Sequence, residues 1–141
     1  MKFSKKESCY MKESTRQWLD FAKTDLRSCE NNLHDKDVTN IVAFHSQQAV
    51  EKAFKALLVE KEIQVPRMHN LIRLHSFAEQ FLIESIDLSE LDALDSVYVS
   101  SRYPGDMGMV STGKPTSAES KELYESAKRL FEIIVHTIAR T

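Results

Sequence analysis

Glycine and proline are scarce in this chain, with three of each in 141 residues. Sheets whose strands are joined by tight turns rely on these residues, so their shortage argues against a turn-rich β fold and favours long helices. Cysteine is scarce as well. Cys9 and Cys29 cannot make a disulfide framework, and neither belongs to a pair with metal-ligand spacing. A net charge of −2 excludes the overall positive field of a general DNA binder.

Long apolar runs are also missing. No stretch approaches the ~20 apolar residues that a membrane-spanning helix needs, and no segment has the pattern of a signal peptide. We therefore expect a cytoplasmic protein with no membrane partner. Because 42% of the residues are apolar, the chain is rich enough to form one core. We expect a flexible leader over residues 1–13 and a single domain over residues 14–141.

Apolar residues recur at helical spacing in five stretches. The predicted helices cover about 14–33, 37 or 39 to the extended connector at residues 64–66, 69–84, 89–100, and 116 or 117 to the end of the chain. Short links between them predict an all-α fold, an antiparallel up-and-down bundle of about five helices. Ser14 or Thr15 is the expected cap of the first helix. The predicted core stripe of the third helix is Leu71, Leu74, Phe77, Ala78 and Phe81.

The second helix has an unusual polar side. Val50, Ala53, Phe54, Leu57 and Leu58 form its apolar face, and the remaining side is rich in donors. That polar side consists of His45, Gln48, Lys52 and Lys55, with Glu51 at its edge. Two interpretations stay open: an ordinary solvated face, or a binding site completed by other parts of the chain.

Asp25 lies on the apolar face of the first helix, together with Trp18, Ala22, Leu26 and Cys29. An unpaired carboxylate in that position would be costly. We therefore expect Asp25 to make an ionic contact inside the bundle, with Lys52 or Arg102.

The order of these motifs resembles the HEPN-domain family (higher eukaryote and prokaryote nucleotide-binding) over about residues 15–140. No single motif carries the resemblance, which depends on their order and spacing. The motifs are Trp18, Ala22, Asp25-Leu26, Ala43-Phe44, Gln47-Gln48-Ala49, Glu51-Lys52, Lys55-Ala56-Leu57-Leu58, His69-Asn70-Leu71, Tyr98 and Ser101-Arg102-Tyr103-Pro104.

The resemblance implies a helical homodimer that binds nucleotide or RNA without a cofactor or a metal. It also implies a possible partner, a small nucleotidyltransferase encoded nearby, as in toxin–antitoxin pairs. The expected ligand-binding residues are Gln48, Glu51, Lys52, Lys55, His69, Arg102 and Tyr103. Lys52, Lys55 and Arg102 would hold phosphate through charge-assisted bonds. Arg102 could instead pair with Asp25 or Glu51 and fix the fourth helix to the bundle.

Other members of the family are metal-independent ribonucleases that carry an Arg followed by His after four to six intervening residues. In this chain the candidate pair is Arg129 and His136, with six residues between them. Both lie on the outer side of the last helix, where Glu125 and Glu132 could pair with them at i,i+4 positions. The main expectation is a non-catalytic binding module. The alternatives are an endoribonuclease that uses Arg129 and His136, and a pure dimerisation or interaction module.

All three glycines and two of the three prolines fall within residues 101–117, which predicts one irregular loop. Limited proteolysis should therefore cleave first within residues 105–115, where apolar anchors are few. Mass spectrometry of the earliest fragments checks this. First cleavage within residues 43–60 would contradict both the loop and the second helix.

Overall fold

The computed structural model describes residues 11–102 and 114–140, with residues 99–102 described by their backbone. These residues form five α-helices and no strand, which confirms the predicted all-α bundle. The helices are α1 (Glu13–Asn32), α2 (Thr39–Glu60), α3 (Leu71–Ala78), α4 (Leu88–Arg102) and α5 (Ser117–Ala139), and a 3₁₀ turn (Glu79–Phe81) follows α3. None of the described helices is long and apolar enough to cross a membrane.

α2 is the central helix of the bundle, and the other four helices all pack against it. Its partners cover it on more than one side, so that 14 of its 22 residues are buried. α1 runs antiparallel to α2. Thr15 Oγ1 near the start of α1 donates to Glu60 Oε1 at the end of α2 (2.8 Å), and Cys29 Sγ near the end of α1 contacts Val42 O near the start of α2 (3.4 Å). The polar side chains of α2 therefore lie between helices and not in open solvent.

The ends of the helices differ in how they are capped. At α5, Thr116 and Glu119 form a capping box, which confirms the predicted start of that helix. α1 begins at Glu13 without a side-chain cap, so the prediction of Ser14 or Thr15 as its cap is wrong. Thr15 is inside the first turn, where its hydroxyl binds α2 instead. Of the expected leader, residues 1–10 lie outside the described part of the chain, whereas Met11 is buried.

The third helix is shorter than the periodicity predicted. α3 ends at Ala78, and the chain then continues as the 3₁₀ turn. Beyond this turn the backbone amide of Ile83 donates a hydrogen bond to Thr137 Oγ1 of α5 (3.2 Å). This amide is therefore bonded to a neighbouring helix and does not continue the hydrogen-bonding pattern of α3. Phe77, expected in the core stripe, is 41% exposed. Of that stripe, only Leu71, Leu74 and Ala78 are fully buried.

α4 extends to Arg102, two residues beyond the predicted end. Residues 101 and 102, expected in the irregular loop, therefore belong to α4, and residues 103–113 of that expected loop, including Tyr103, lie outside the described residues. Leu91 and Leu94 of α4 are buried. The core side of α5 consists largely of apolar residues at helical spacing, all of them buried: Leu123, Ala127, Leu130, Phe131, Ile134 and Ile138.

Cys29 provides a test of the α1–α2 interface. It is completely buried, and burial raises the pKa of its thiol to about 11. At pH 8 only about one thiol in a thousand would be ionised even if reagent could reach it. In a Cys9→Ser background, we expect native Cys29 to react with a thiol reagent orders of magnitude more slowly than it does in denaturant, as measured by absorbance.

The control is a Cys9→Ser/Cys29→Ser variant with Thr24→Cys, which places a thiol at an exposed position of the same helix. That thiol should react at the rate of a free thiol in native buffer. Equal native rates at positions 24 and 29 would contradict the packing of α1 on α2.

Candidate functional site

The polar side of α2 is buried to an unexpected degree. Gln47, Glu51 and Lys55 are all buried, because α1, α3 and α4 cover this side of the helix. The interpretation as an ordinary solvated face is therefore wrong for Glu51 and Lys55. Charged side chains in such a position must be paired, and the structure pairs them in two clusters.

The first cluster is centred on Asp25 of α1. Its carboxylate is 6% exposed and lies 2.7 Å from Lys52 Nζ through one oxygen and 2.7 Å from His45 Nδ1 through the other. The predicted ionic contact of Asp25 with Lys52 is thus confirmed, while the side chain of Arg102 lies outside the described part of the structure. His45 is an additional partner that sequence reasoning missed, because twenty residues separate it from Asp25.

The second cluster is centred on Glu51 of α2. Lys55 Nζ lies 3.1 Å from one carboxylate oxygen, and His69 Nδ1 lies 3.0 Å from the other. Gln48 Nε2 also donates to Glu51 (3.2 Å). Lys55 is buried, and its ammonium lies 5.7 Å from the centre of the Trp18 ring. The ammonium of Lys55 is therefore held inside the protein by Glu51 and Trp18. Its role is to keep Glu51 in position.

A third set of bonds joins the Glu51 cluster to α3 and α4. Gln47 Nε2 donates to the carbonyl of His69 (2.7 Å) and to Asp95 Oδ1 of α4 (3.3 Å). Asp95 also accepts from the backbone amide of Leu71 at the start of α3 (2.9 Å). Burial raises the pKa of Asp95, and the hydrogen bond from the Leu71 amide opposes this effect. These bonds fix the position of His69 in the connection before α3.

Four aromatic rings lie in a row on the same part of the molecule. Tyr98 of α4 stacks on Phe44 of α2 (centroids 5.7 Å apart) and on His69 (6.1 Å), and His45 packs edge-on against Phe44 (5.1 Å). We call Phe44, His45, His69 and Tyr98 the ring surface. Three of these rings are half-buried, and the His69 side chain is 61% exposed.

The two imidazoles of the ring surface are held in the same way. Each Nδ1 faces a buried carboxylate, which can only accept a hydrogen bond when ionised, so Nδ1 carries the proton and the other ring nitrogen is directed away from the carboxylate. Such a nitrogen can bind a ligand by hydrogen bonding. No group of three or more metal-ligating side chains occurs in the described ranges.

The structure thus brings together Gln48, Glu51, Lys52, Lys55 and His69 of the expected site. Of the remaining two, Arg102 is described by its backbone at the end of α4, and Tyr103 lies outside the described residues. The residues that sequence reasoning missed are Phe44, His45, Gln47 and Asp95. Phe44 and Gln47 lie inside the motifs that carry the family resemblance, and this could have identified them as candidate site residues.

Arg129 and His136 lie on α5, on a different helix from the ring surface. Arg129 pairs with Glu90 of α4 and donates to Ser126 (3.5 Å). The prediction that Arg129 pairs with Glu125 is therefore wrong, because α4 places Glu90 within reach of the Arg129 guanidinium. His136 is exposed.

The Asp25 cluster predicts a large effect of a small substitution. Asp25→Ala leaves Lys52 and His45 without their acceptor, so we expect destabilisation of about 3 kcal/mol and a melting temperature lower by about 10 °C. Asp20→Ala on the exposed side of α1 should change stability by less than about 0.5 kcal/mol. Thermal unfolding followed by circular dichroism measures both.

A double variant, Asp25→Ala/Lys52→Met, separates charge pairing from packing. With both charges removed, the variant should recover part of the stability lost in Asp25→Ala. An unchanged melting temperature for Asp25→Ala would show that the ion pair does not contribute to the fold.

The comparisons with known proteins agree with this architecture. The family model of the HEPN domain matches residues 15–138. The solved structure of TT1696 from Thermus thermophilus is similar, with 25% sequence identity and a TM-score of 0.78 over 89% of this chain and 99% of that one.

A second solved structure, ST0689, described as an archaeal HEPN homologue, has 23% identity and a TM-score of 0.63, over 88% of this chain and 97% of that one. At this identity the likeness shows the fold alone. No curated protein matches the chain. Because the family model spans nearly the whole bundle, the chain belongs to the HEPN domain family.

Proposed function

We propose that this HEPN domain is a non-catalytic module that binds a nucleotide or RNA at the ring surface. The observation that carries the proposal is the row of Phe44, His45, His69 and Tyr98, with Lys52 beside it in the Asp25 cluster. Aromatic side chains in such an arrangement are the usual platform for unpaired bases.

Stacking would supply most of the affinity. A base placed on an aromatic platform contributes roughly 1–3 kcal/mol, largely independent of sequence. His69 is the most accessible ring of the row, and its orientation is fixed by Glu51 and by the bond from Gln47 to its carbonyl. A ring that is already held in place loses little entropy when a base stacks on it.

Hydrogen bonds would orient the ligand. The outer nitrogens of His45 and His69 and the ammonium of Lys52, which is 22% exposed, are the groups available for this. Arg102 follows Tyr98 by four residues in α4, so its Cα lies one turn further along the same side of the helix. This spacing favours the earlier assignment of Arg102, next to Tyr103, as a phosphate ligand.

Phosphate binding would be modest, since carboxylates already neutralise the lysines. Asp25 lies beside Lys52, and Glu51 lies beside Lys55. The net charge of −2 also disfavours strong binding of an anionic phosphate group. We therefore expect weak, salt-dependent binding of mononucleotides or single-stranded RNA.

Two further parts of the proposal rest on the family membership. We propose that the domain forms a homodimer, and that it assists a separate small nucleotidyltransferase. Light scattering after size exclusion would test the first, and co-purification with the product of the neighbouring gene would test the second. The alternative function, an endoribonuclease, would use Arg129 and His136 on α5 and would leave the ring surface unused.

Binding of a fluorescent mononucleotide separates these functions. His69→Ala should weaken binding about ten-fold, which corresponds to the loss of one stacking contact, and Lys52→Ala/Arg102→Ala should abolish the salt-dependent part. His34→Ala is the matched control, because His34 is exposed in the turn between α1 and α2. It should bind as the wild type does.

Cleavage of a labelled structured RNA is measured on the same proteins. We expect no cleavage by wild type or by His136→Ala. If the wild type cleaves the RNA and His136→Ala does not, the present proposal is wrong and the protein is an endoribonuclease. Equal nucleotide binding by wild type, His69→Ala and the double variant would leave only an interaction module.

A further inference from the structure

A concave surface lies between α1 and α5, and it shares no residue with the ring surface. The groove has a volume of about 410 Å³, within the range of small-molecule sites. Its cationic lining consists of Lys23 and Arg27 from α1 and Lys128 from α5. We call it the basic groove.

The charge of the basic groove is opposite in sign to that of the chain. Three cationic side chains and two carboxylates, Glu30 and Glu132, line it, whereas the whole chain has a net charge of −2. One oxygen of Glu30 already accepts from the Tyr124 hydroxyl (2.7 Å). Burial raises the pKa of Tyr124 well above its usual range, so this hydroxyl stays protonated and keeps donating to Glu30.

Arg27 and Lys128 are the cations without a protein counter-ion. Within residues 11–102 and 114–140, neither side chain makes an ion pair or a hydrogen bond. They come from the two helices that form the walls of one groove, so their like charges repel each other. An anion placed between them would remove this repulsion and gain two charge-assisted contacts, one of them with the planar fork of Arg27.

The remaining lining is apolar except for Thr24. Leu26 and Phe131 belong to the hydrophobic core and reach the groove from below, and the aliphatic stems of Lys23, Arg27 and Lys128 add to this surface. A small inorganic anion would leave most of this surface uncovered. A flat apolar group joined to a charged group would cover it.

We propose that the basic groove binds a small aromatic anion, a planar apolar group that carries a phosphate, sulfonate or carboxylate. Arg27 and Lys128 hold the charged group, and the aromatic group lies on the apolar lining between α1 and α5. The proposal is independent of nucleotide binding at the ring surface.

The test uses the fluorescence of 8-anilinonaphthalene-1-sulfonate with the full chain at low salt. We expect one saturable site from which 1-naphthyl phosphate displaces the probe. Neutral 1-naphthol and inorganic phosphate at the same concentration should displace it far less. Arg27→Ala/Lys128→Ala should weaken naphthyl phosphate binding about ten-fold or more, as expected for the loss of charge-assisted contacts.

Matched controls separate this site from general effects. Arg73→Ala/Lys121→Ala removes the same two charges from exposed positions on other parts of the surface, and Phe21→Ala removes the most exposed large apolar side chain of the described residues. Both should bind as wild type does. Because Arg27 and Lys128 are exposed, their double variant should keep the wild-type melting temperature.

Unchanged affinity in Arg27→Ala/Lys128→Ala would overturn the proposal. Displacement by 1-naphthol as strong as that by 1-naphthyl phosphate would also overturn it, since the charges would then have no part in binding. Loss of the site in the Phe21→Ala control would place the probe on the outer face of α1 and exclude the basic groove.

Discussion

The pairing of buried carboxylates governs this bundle. α2 is packed by all four other helices, and an ionisable side chain on its covered side cannot be solvated. Asp25 of α1 and Glu51 of α2 nevertheless lie in this interface, and each is matched by a lysine and an imidazole. Among the described residues, no buried side-chain nitrogen or oxygen lacks a hydrogen-bond partner. Such clusters are costly to break on one side only, which fixes how α1 and the connection before α3 lie on α2.

The same constraint shapes the candidate site. A carboxylate that must be paired holds an imidazole in one orientation, and two such carboxylates place His45 and His69 in one row with Phe44 and Tyr98. Stability and the proposed function therefore use the same residues. Lys55 illustrates the division of roles, because it is buried against Glu51 and Trp18 and supports the surface without being part of it.

The bundle has two surfaces with different chemistry. The ring surface offers stacking and oriented hydrogen bonds, with its charges largely neutralised inside the protein. The basic groove between α1 and α5 offers Arg27 and Lys128, which make no ion pair or hydrogen bond within the described residues, above an apolar floor. Membership of the HEPN domain family fixes the fold of the chain but leaves the ligand open, so the chemistry of these two surfaces is the guide to binding.

The sequence alone determined the helices, their approximate bounds and the need of Asp25 for a partner, because periodicity and burial of a charge are local properties of the chain. It also placed Gln48, Glu51, Lys52 and Lys55 on one helix. Only the tertiary structure decided that Glu51 and Lys55 are buried, that α3 stops at Ala78, and that Phe44 stacks on Tyr98 of α4. A helical pattern states which residues share a face. The neighbour that covers that face is set by contacts between residues twenty to ninety positions apart, and no local pattern encodes these.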